Sequence, residues 1–396
     1  MESIMIVAAK EFRDHITSKR FLLIFNVLIL LSVVGILAGV GDYNRELSHY
    51  KDQLQQQSAD PAYQKMIADL QQQIANAEAS GFPQDQIDNL KQTLAGMVSP
   101  PMPSVLLVFR NFNLYFTIFG AVMAASLGFD LITREKEEGS LKSLLTHPVY
   151  RDEVINGKAL GSIAVLAIAL LSTFLLTVAV MMISGITPGV DDFLSLVAYL
   201  AIALVYATVF FGISLAASTV ARSSGMSVAY FVGIVILLVL APLIINTLVV
   251  FAMGQPPEMN MGLPAPTPVT GGESSAFMSG VQAGGSVSGM INQTTYEDPG
   301  KKYAEYWRTR ALITGIVDVI NPISDLSVAA GAVLDKNGGS VIGGSSDGIV
   351  IRAGELKRIS LLESLAVAWA NILMLIAMAV AALGYAYVKF MRLDVR

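Results

Sequence analysis

Six stretches without a charged residue, at positions 21–41, 111–129, 159–190, 193–221, 223–257 and 364–388, constrain this chain more than any other feature. About 20 apolar residues in helical rise cross a hydrocarbon core of about 30 Å, so each stretch is long enough to span a bilayer. Backbone amides find no water in lipid, and a span made of one segment must therefore be a helix. The first stretch follows a basic start. It exceeds the roughly 7 to 15 apolar residues of a secretory signal and is followed by no small-residue cleavage site, so it reads as an uncleaved anchor. The expected fold class is an all-α polytopic membrane protein with transmembrane helices at 21–41, 105–130, 159–186, 193–221, 226–253 and 361–388.

Composition agrees and removes several functions. Charged residues are 14% of the chain and hydrophobic ones 54%, where a soluble domain carries about 25% charged residues. A net charge of -5 leaves no electrostatic footprint for nucleic acid. Cysteine is absent, and His15, His49 and His147 lie far apart, so neither thiol chemistry nor a clustered metal site is expected. No glycine-rich run has the spacing that cradles phosphates, which predicts no nucleotide, cofactor or metal site in the chain itself. The spans lack the buried ionisable residues of an ion-coupled carrier, and no acid pair or nucleophile–base couple marks an intramembrane enzyme.

Basic residues set the orientation. With the N-terminus cytoplasmic, the inside segments carry Lys10, Arg13, Lys19, Arg20, Arg134, Lys136, Lys142, Arg151, Lys158, Arg222, Lys389, Arg392 and Arg396, half of the 26 basic residues on a small part of the chain. Both termini are thus expected in the cytoplasm, in a cell membrane. Residues 1–20 place Ile4, Val7, Ala8, Phe12 and Ile16 on one face, with Glu11 elsewhere, as an interfacial helix would. Residues 42–104 form an outer helical insertion divided at Asp60-Pro61 and Gly81-Phe82-Pro83. Residues 254–360 form a second outer segment: a Gly-, Ser- and Pro-rich part, a helix through Tyr303 and Arg310, and a candidate strand at 348–352. Within it, 312–334 is long enough to cross. Asp318 and Asp325 cost about 2.5 to 3.5 kcal/mol each near a span centre, and Asn321-Pro322 interrupts it, so it reads as two short helices at or dipping into the outer interface. Of the polar residues within the spans, Tyr206, Asn246 and Asn371 are candidate pathway residues, Asn246 because it follows the bend permitted by Pro242.

The inner connection at 131–158 is more organised than a linker needs to be. Arg134 to Glu138 prolongs the second span as a charged helix, and Gly139 ends it. Ser140 then caps a short helix with Leu141, Leu144 and Leu145 on one face, Pro148 turns the chain, and Arg151-Asp152-Glu153 opens the third span. A short amphipathic helix held between two spans has an apolar face suited to docking.

The stretch GSLKSLLTHPVYRDEVINGK resembles the coupling-helix segment of ABC-2 type exporter permeases, which typically reads G-T-L-x-x-L-L-x-x-P-V-x-R-x-E-x-x-x-G-K. AAKEFRDHITSKRFLL is similar to that family's N-terminal connecting helix, and LAASTVARSSGMSVAYFVGIVILL to its loop between spans four and five. The resemblance covers the whole chain and is nearest to NosY-like and NatB-like permeases; Lys142, where an acid is common, and the long second outer segment depart from it. It implies a permease subunit without its own ATPase site, paired with a second permease copy as homodimer or heterodimer. A separate nucleotide-binding ATPase would hold ATP and magnesium. By the same resemblance Gly139, Leu141, Leu144, Leu145 and Pro148 would receive the ATPase stroke, while Glu135, Glu137, Glu138 and Arg151 would set docking orientation from the rim. The alternative is a non-transporting machine that passes the stroke to an envelope partner through the outer segments. Because the chain has no cysteine, His147→Cys supplies a single thiol. An impermeant maleimide should label it in inside-out vesicles and not in intact cells, and the converse result would reverse the orientation.

Overall fold

The computed structural model describes residues 2–82, 84–98, 102–139, 150–254, 299–335 and 360–393. Leu141, Leu144, Leu145, Pro148, the Gly-rich part of the second outer segment and the candidate strand at 348–352 lie outside the described residues. The chain divides into two units, Met1–Pro242 with Val317–Arg396, and Leu243–Ile316. Helices are α1 (Glu2–Ile16), α2 (Lys19–Ala59), α3 (Pro61–Ala79), α4 (Gln84–Val98), α5 (Phe109–Gly128), α6 (Thr133–Glu137), α7 (Arg151–Ile183), α8 (Val190–Val220), α9 (Ser224–Met253), α10 (Pro299–Val319), α11 (Pro322–Leu334) and α12 (Leu361–Met391). Six helical stretches are long and apolar enough to cross a membrane. The fold is an all-α polytopic membrane protein.

The first unit is organised around α5 and α8. Where hydrophobic burial offers little between helices in lipid, close packing and inter-helix hydrogen bonds must hold them. Three such bonds join this pair: the Tyr199 hydroxyl donates to Asn113 Oδ1 at 2.9 Å, Tyr206 to the Thr117 carbonyl at 2.6 Å, and Ser214 to the Ala125 carbonyl at 2.9 Å. Phe112, Phe116, Tyr206 and Phe210 form a chain of ring contacts along the seam, the closest with centroids 4.9 Å apart. By contrast, only 6% of the apolar window of α9 is buried, against 61% for the stretch containing α5. α9 therefore presents its side chains to lipid or to another chain.

At one end of the unit the termini and connections meet. Arg20 Nη1 bonds Asp130 Oδ2 at 3.1 Å, joining the start of α2 to the end of α5. The Arg151 guanidinium donates to the Leu393 carbonyl at 2.9 Å, joining α7 to the C-terminal tail. α1 packs along α7. The contact is backbone-close: a Cβ on Gly157 would come within 2.9 Å of the Ile4 carbonyl, and one on Gly161 within 2.5 Å of the Ala8 carbonyl. Only glycine at these two positions, one turn apart, allows that approach. The apolar face of α1 thus covers α7, while Met5 and Ile6 remain exposed on its other side.

At the opposite end α2 continues without a break from the first span into the insertion, 41 residues in all. It stops where the Asp60 carboxylate accepts the Ala62 amide at 2.8 Å and Pro61 opens α3. The Tyr63 hydroxyl, donating to the Met97 carbonyl at 2.9 Å, ties α3 to α4.

The broken segment goes deeper than an interfacial helix. Asn321 caps α11 with its side chain, accepting from the Ile323 amide at 3.0 Å, and donates to the Leu238 carbonyl of α9 at 2.9 Å. Leu238 lies about 21 Å from the start of α9, and Asn371, which bonds Asp325 of α11, about 15 Å from the start of α12 at 1.5 Å per residue. α11 therefore begins near mid-depth. Its 13 residues reach about 20 Å, too short to cross. It is an arm packed on α12, α8 and α5. The sum of two carboxylate penalties assumed exposure to lipid, whereas Asp325 is enclosed by protein and receives an amide.

In the second unit, Arg310 lies over the Trp307 ring, its Cζ 4.9 Å from the centroid, and donates to Asn246 Oδ1 at 2.7 Å. The Tyr306 hydroxyl donates to the Gly254 carbonyl at 2.8 Å.

Candidate coupling site

The described residues on both sides of 140–149 make an ionic junction. Lys158, on the first two turns of α7, is buried, with its side chain 3% exposed. Its ammonium sits 2.7 Å from Glu11 Oε1 of α1 and 2.7 Å from Glu135 Oε1 of α6. One cation between two carboxylates joins three helices that are remote in sequence. Burial disfavours the Glu11 carboxylate. The Lys158 charge and hydrogen bond outweigh that effect, holding Glu11 below its usual range. Ser162 Oγ and His15 Nε2 pair at 3.2 Å beside it.

Glu11 was expected away from the apolar face of α1. Its side chain is 8% exposed and turned onto α7. The spacing of positions 4, 8, 11 and 15 puts Glu11 and His15 on the same face as Ile4 and Ala8. The signal was present but misread, because a charge within an apolar stripe looks like an error until its partner is known.

The other charges of 134–138 are also committed within the chain. Lys136 Nζ donates to the carbonyls of Thr219 at 2.8 Å and Ala221 at 3.1 Å, closing the C-terminus of α8. Glu137 accepts from the Ser224 amide at 2.9 Å and its hydroxyl at 2.8 Å, capping the N-terminus of α9. The Ile132 and Thr133 amides donate to Ser218 Oγ at 3.0 and 3.1 Å. The α5–α6 corner is thus fastened to the α8–α9 junction. Glu138 is exposed and pairs with Arg134 Nε at 2.9 Å one turn away.

These positions correct the expected rim. Glu135 faces the buried Lys158 of its own chain, while Glu137 stays exposed and bonds Ser224 at the start of α9. Arg151 holds the tail. Glu137 and Glu138 both keep exposed positions, and Gly139 follows them with φ 69°, the left-handed turn that ends α6. Of the candidate pathway residues, Tyr206 is fully buried with its hydroxyl on Thr117, Asn246 holds Arg310, and Asn371 holds Asp325. Tyr206 and Asn371 belong to the first unit and bond different partners there; Asn246 belongs to the second. Among the described residues no three His, Asp or Glu side chains gather as a metal site would require.

Six candidate spans with connections clamped at one end define a polytopic helical membrane protein. Residues 5–395 match the family model described as ABC-2 family transporter protein, and the chain belongs to that family. It is accordingly a membrane permease component of an ABC transporter. A search of curated protein sequences finds no match.

Lys158→Met leaves two buried carboxylates without their cation and should cost roughly 3–5 kcal/mol. Adding Glu11→Gln and Glu135→Gln should recover most of that loss in thermal or denaturant unfolding. His15 gives a pH effect of known sign. Burial, its largest influence, disfavours the imidazolium, Glu11 and Asp130 oppose this, and the net result is a His15 pKa below 6.5. The unfolded chain then binds the extra proton first, so stability held above about pH 6.5 is lost as pH falls through that value. Unfolding midpoints between pH 7.5 and 5.5 should fall for the wild type and fall less for His15→Gln.

Proposed function

We propose that this chain is the transmembrane permease subunit of an ATP-driven exporter, akin to NosY-like and NatB-like permeases, driven by a separate nucleotide-binding ATPase. The ATPase docks on the cytoplasmic side at residues 140–149, through Leu141, Leu144, Leu145 and Pro148. The clamp at Lys158 carries this reading. A push on 140–149 enters the described chain at Gly139 and Tyr150. On one side α6 is tied to α8 and α9 through Lys136 and Glu137; on the other α7 is tied to α1 through Lys158 and to the tail through Arg151. Displacement there is shared by most of the bundle instead of being absorbed by a loose loop, which is what a rigid-body cycle needs. Glu138, exposed beside Arg134, is an acid placed to orient the partner.

In this reading ATP and magnesium belong to the ATPase, both termini are cytoplasmic in the cell membrane, and a second permease copy completes the assembly as homodimer or heterodimer. The unburied apolar face of α9 supports lipid or a second copy as its neighbour.

One observation favours a second reading, a mechanotransmitting component acting on an envelope partner. α2 is a single helix of 41 residues, about 60 Å, from the junction beside Arg20 to the tip of the outer insertion. An unbroken helix of that length passes tilt directly from one side of the membrane to the other.

Leu144→Asp with Leu145→Asp should leave membrane insertion intact and uncouple ATP hydrolysis from transport in reconstituted vesicles. Full coupling with normal ATPase capture would remove the assignment of 140–149. Transport that survives deletion of 61–98 supports the exporter; loss of envelope action without loss of transport capacity supports the second reading.

A further inference from the structure

Among the described residues of the first unit, Asp325 is a fully buried carboxyl that neither the clamp nor the family explains. Asp325, in the first turn of α11, is 0% exposed. Its Oδ1 accepts the Asn371 amide of α12 at 2.7 Å. Its Oδ2 is buried with no hydrogen-bond partner among the described residues, and no basic side chain pairs with Asp325 there. Ser364 Oγ, also buried and without a partner, lies two turns before Asn371 on the same face of α12.

The neighbouring charges do not supply a counter-ion. Asp318, just before the break, is linked through Ser324, whose hydroxyl donates to Asp318 Oδ1 at 3.5 Å, and adds negative charge. Charged residues on the packed elements sit near their ends: Asp191 and Asp192 at the start of α8, Glu363 at the start and Lys389 at the end of α12, and Arg110 at the start of α5, which also carries Tyr115. Tyr199 and Tyr206 of α8 have given their hydroxyls to α5. On α9, the Leu238 carbonyl is taken by Asn321, and Tyr230 lies nearly two turns from the helix start.

We propose that Asp325 is a proton-binding site within the bilayer: a proton taken from water resides on Oδ2 while α11 is docked, and returns to water when the arm leaves. An enclosed charge without a partner costs several kcal/mol, so the carboxyl must be neutralised by something. A metal cation needs several oxygen ligands. Here Asn371 offers its amide nitrogen and no cage of carboxylates gathers, whereas a proton needs one oxygen. The neutral carboxyl lets a polar arm lie inside an apolar bundle, held by Asn371. This rests on the placement of α11 and not on the export reading, which could fail without affecting it.

The test is unfolding of the purified chain in lipid nanodiscs from pH 5 to 8, comparing wild type with Asp325→Asn. If the folded state holds a proton that the unfolded state releases, the wild-type unfolding constant should rise up to tenfold per pH unit relative to the variant as pH rises. Parallel curves overturn the proposal. A hydrophobic carbodiimide, which attaches to protonated carboxyls, locates the proton: a peptide-mapped adduct on Asp325 that fades at high pH and ignores added sodium or potassium supports it. Protection by either ion at fixed pH would replace the proton by a metal cation and overturn the assignment.

Discussion

The ammonium of Lys158, shared between Glu11 and Glu135, is the contact on which the cytoplasm-facing architecture proposed above depends. Without it α1 would keep only apolar contacts, the close approach at two glycines and the His15–Ser162 pair to hold it on α7, and α6, a five-residue helix, would be held only by its ties to α8 and α9. The carboxylates, in turn, could not be buried without the cation. Each helix is therefore placed by the other two. The Gly-Lys pair at 157–158 has a physical meaning in this light: the glycine admits the backbone of α1, and the lysine secures it.

Elsewhere in the bundle the bilayer imposes a different economy. Helices in lipid gain little from merely being apolar, so α5 and α8 are joined by tyrosine and serine hydroxyls reaching backbone or amide acceptors. The same rule governs α11, which could not lie inside the bundle unless its first turn were capped by Asn321 and its carboxyl met by Asn371. The polar residues of the spans are best understood as fasteners between helices. Tyr206, a candidate pathway residue, makes one such bond to Thr117.

Much of this was legible in order of residues. Span positions, the breaks at Pro61 and Pro322, and the charged corner at 134–138 each follow from local chemistry that needs no distant partner. The candidate site was legible in outline and misassigned in detail. Glu135 and Glu137 look identical to Glu138 in a run of acids, and nothing local distinguishes the one that is drawn onto buried Lys158 from the two that stay exposed beside Ser224 and Arg134. Glu11 was set apart from the face it belongs to for the same reason, since its partner stands 147 positions away.

The amino-acid order alone determined that the chain is a helical membrane protein with six spans, because lipid leaves the backbone no alternative and charge cannot be spread through the hydrocarbon. It also determined where helices start and stop, since caps, prolines and glycines act within a turn. Only the tertiary structure decided which charges are buried, that α1 lies on α7, and that α11 enters the bundle instead of resting on its surface. Those outcomes depend on pairings between remote residues, whose energy is set by distance and exclusion of water and by nothing written in either residue's neighbourhood.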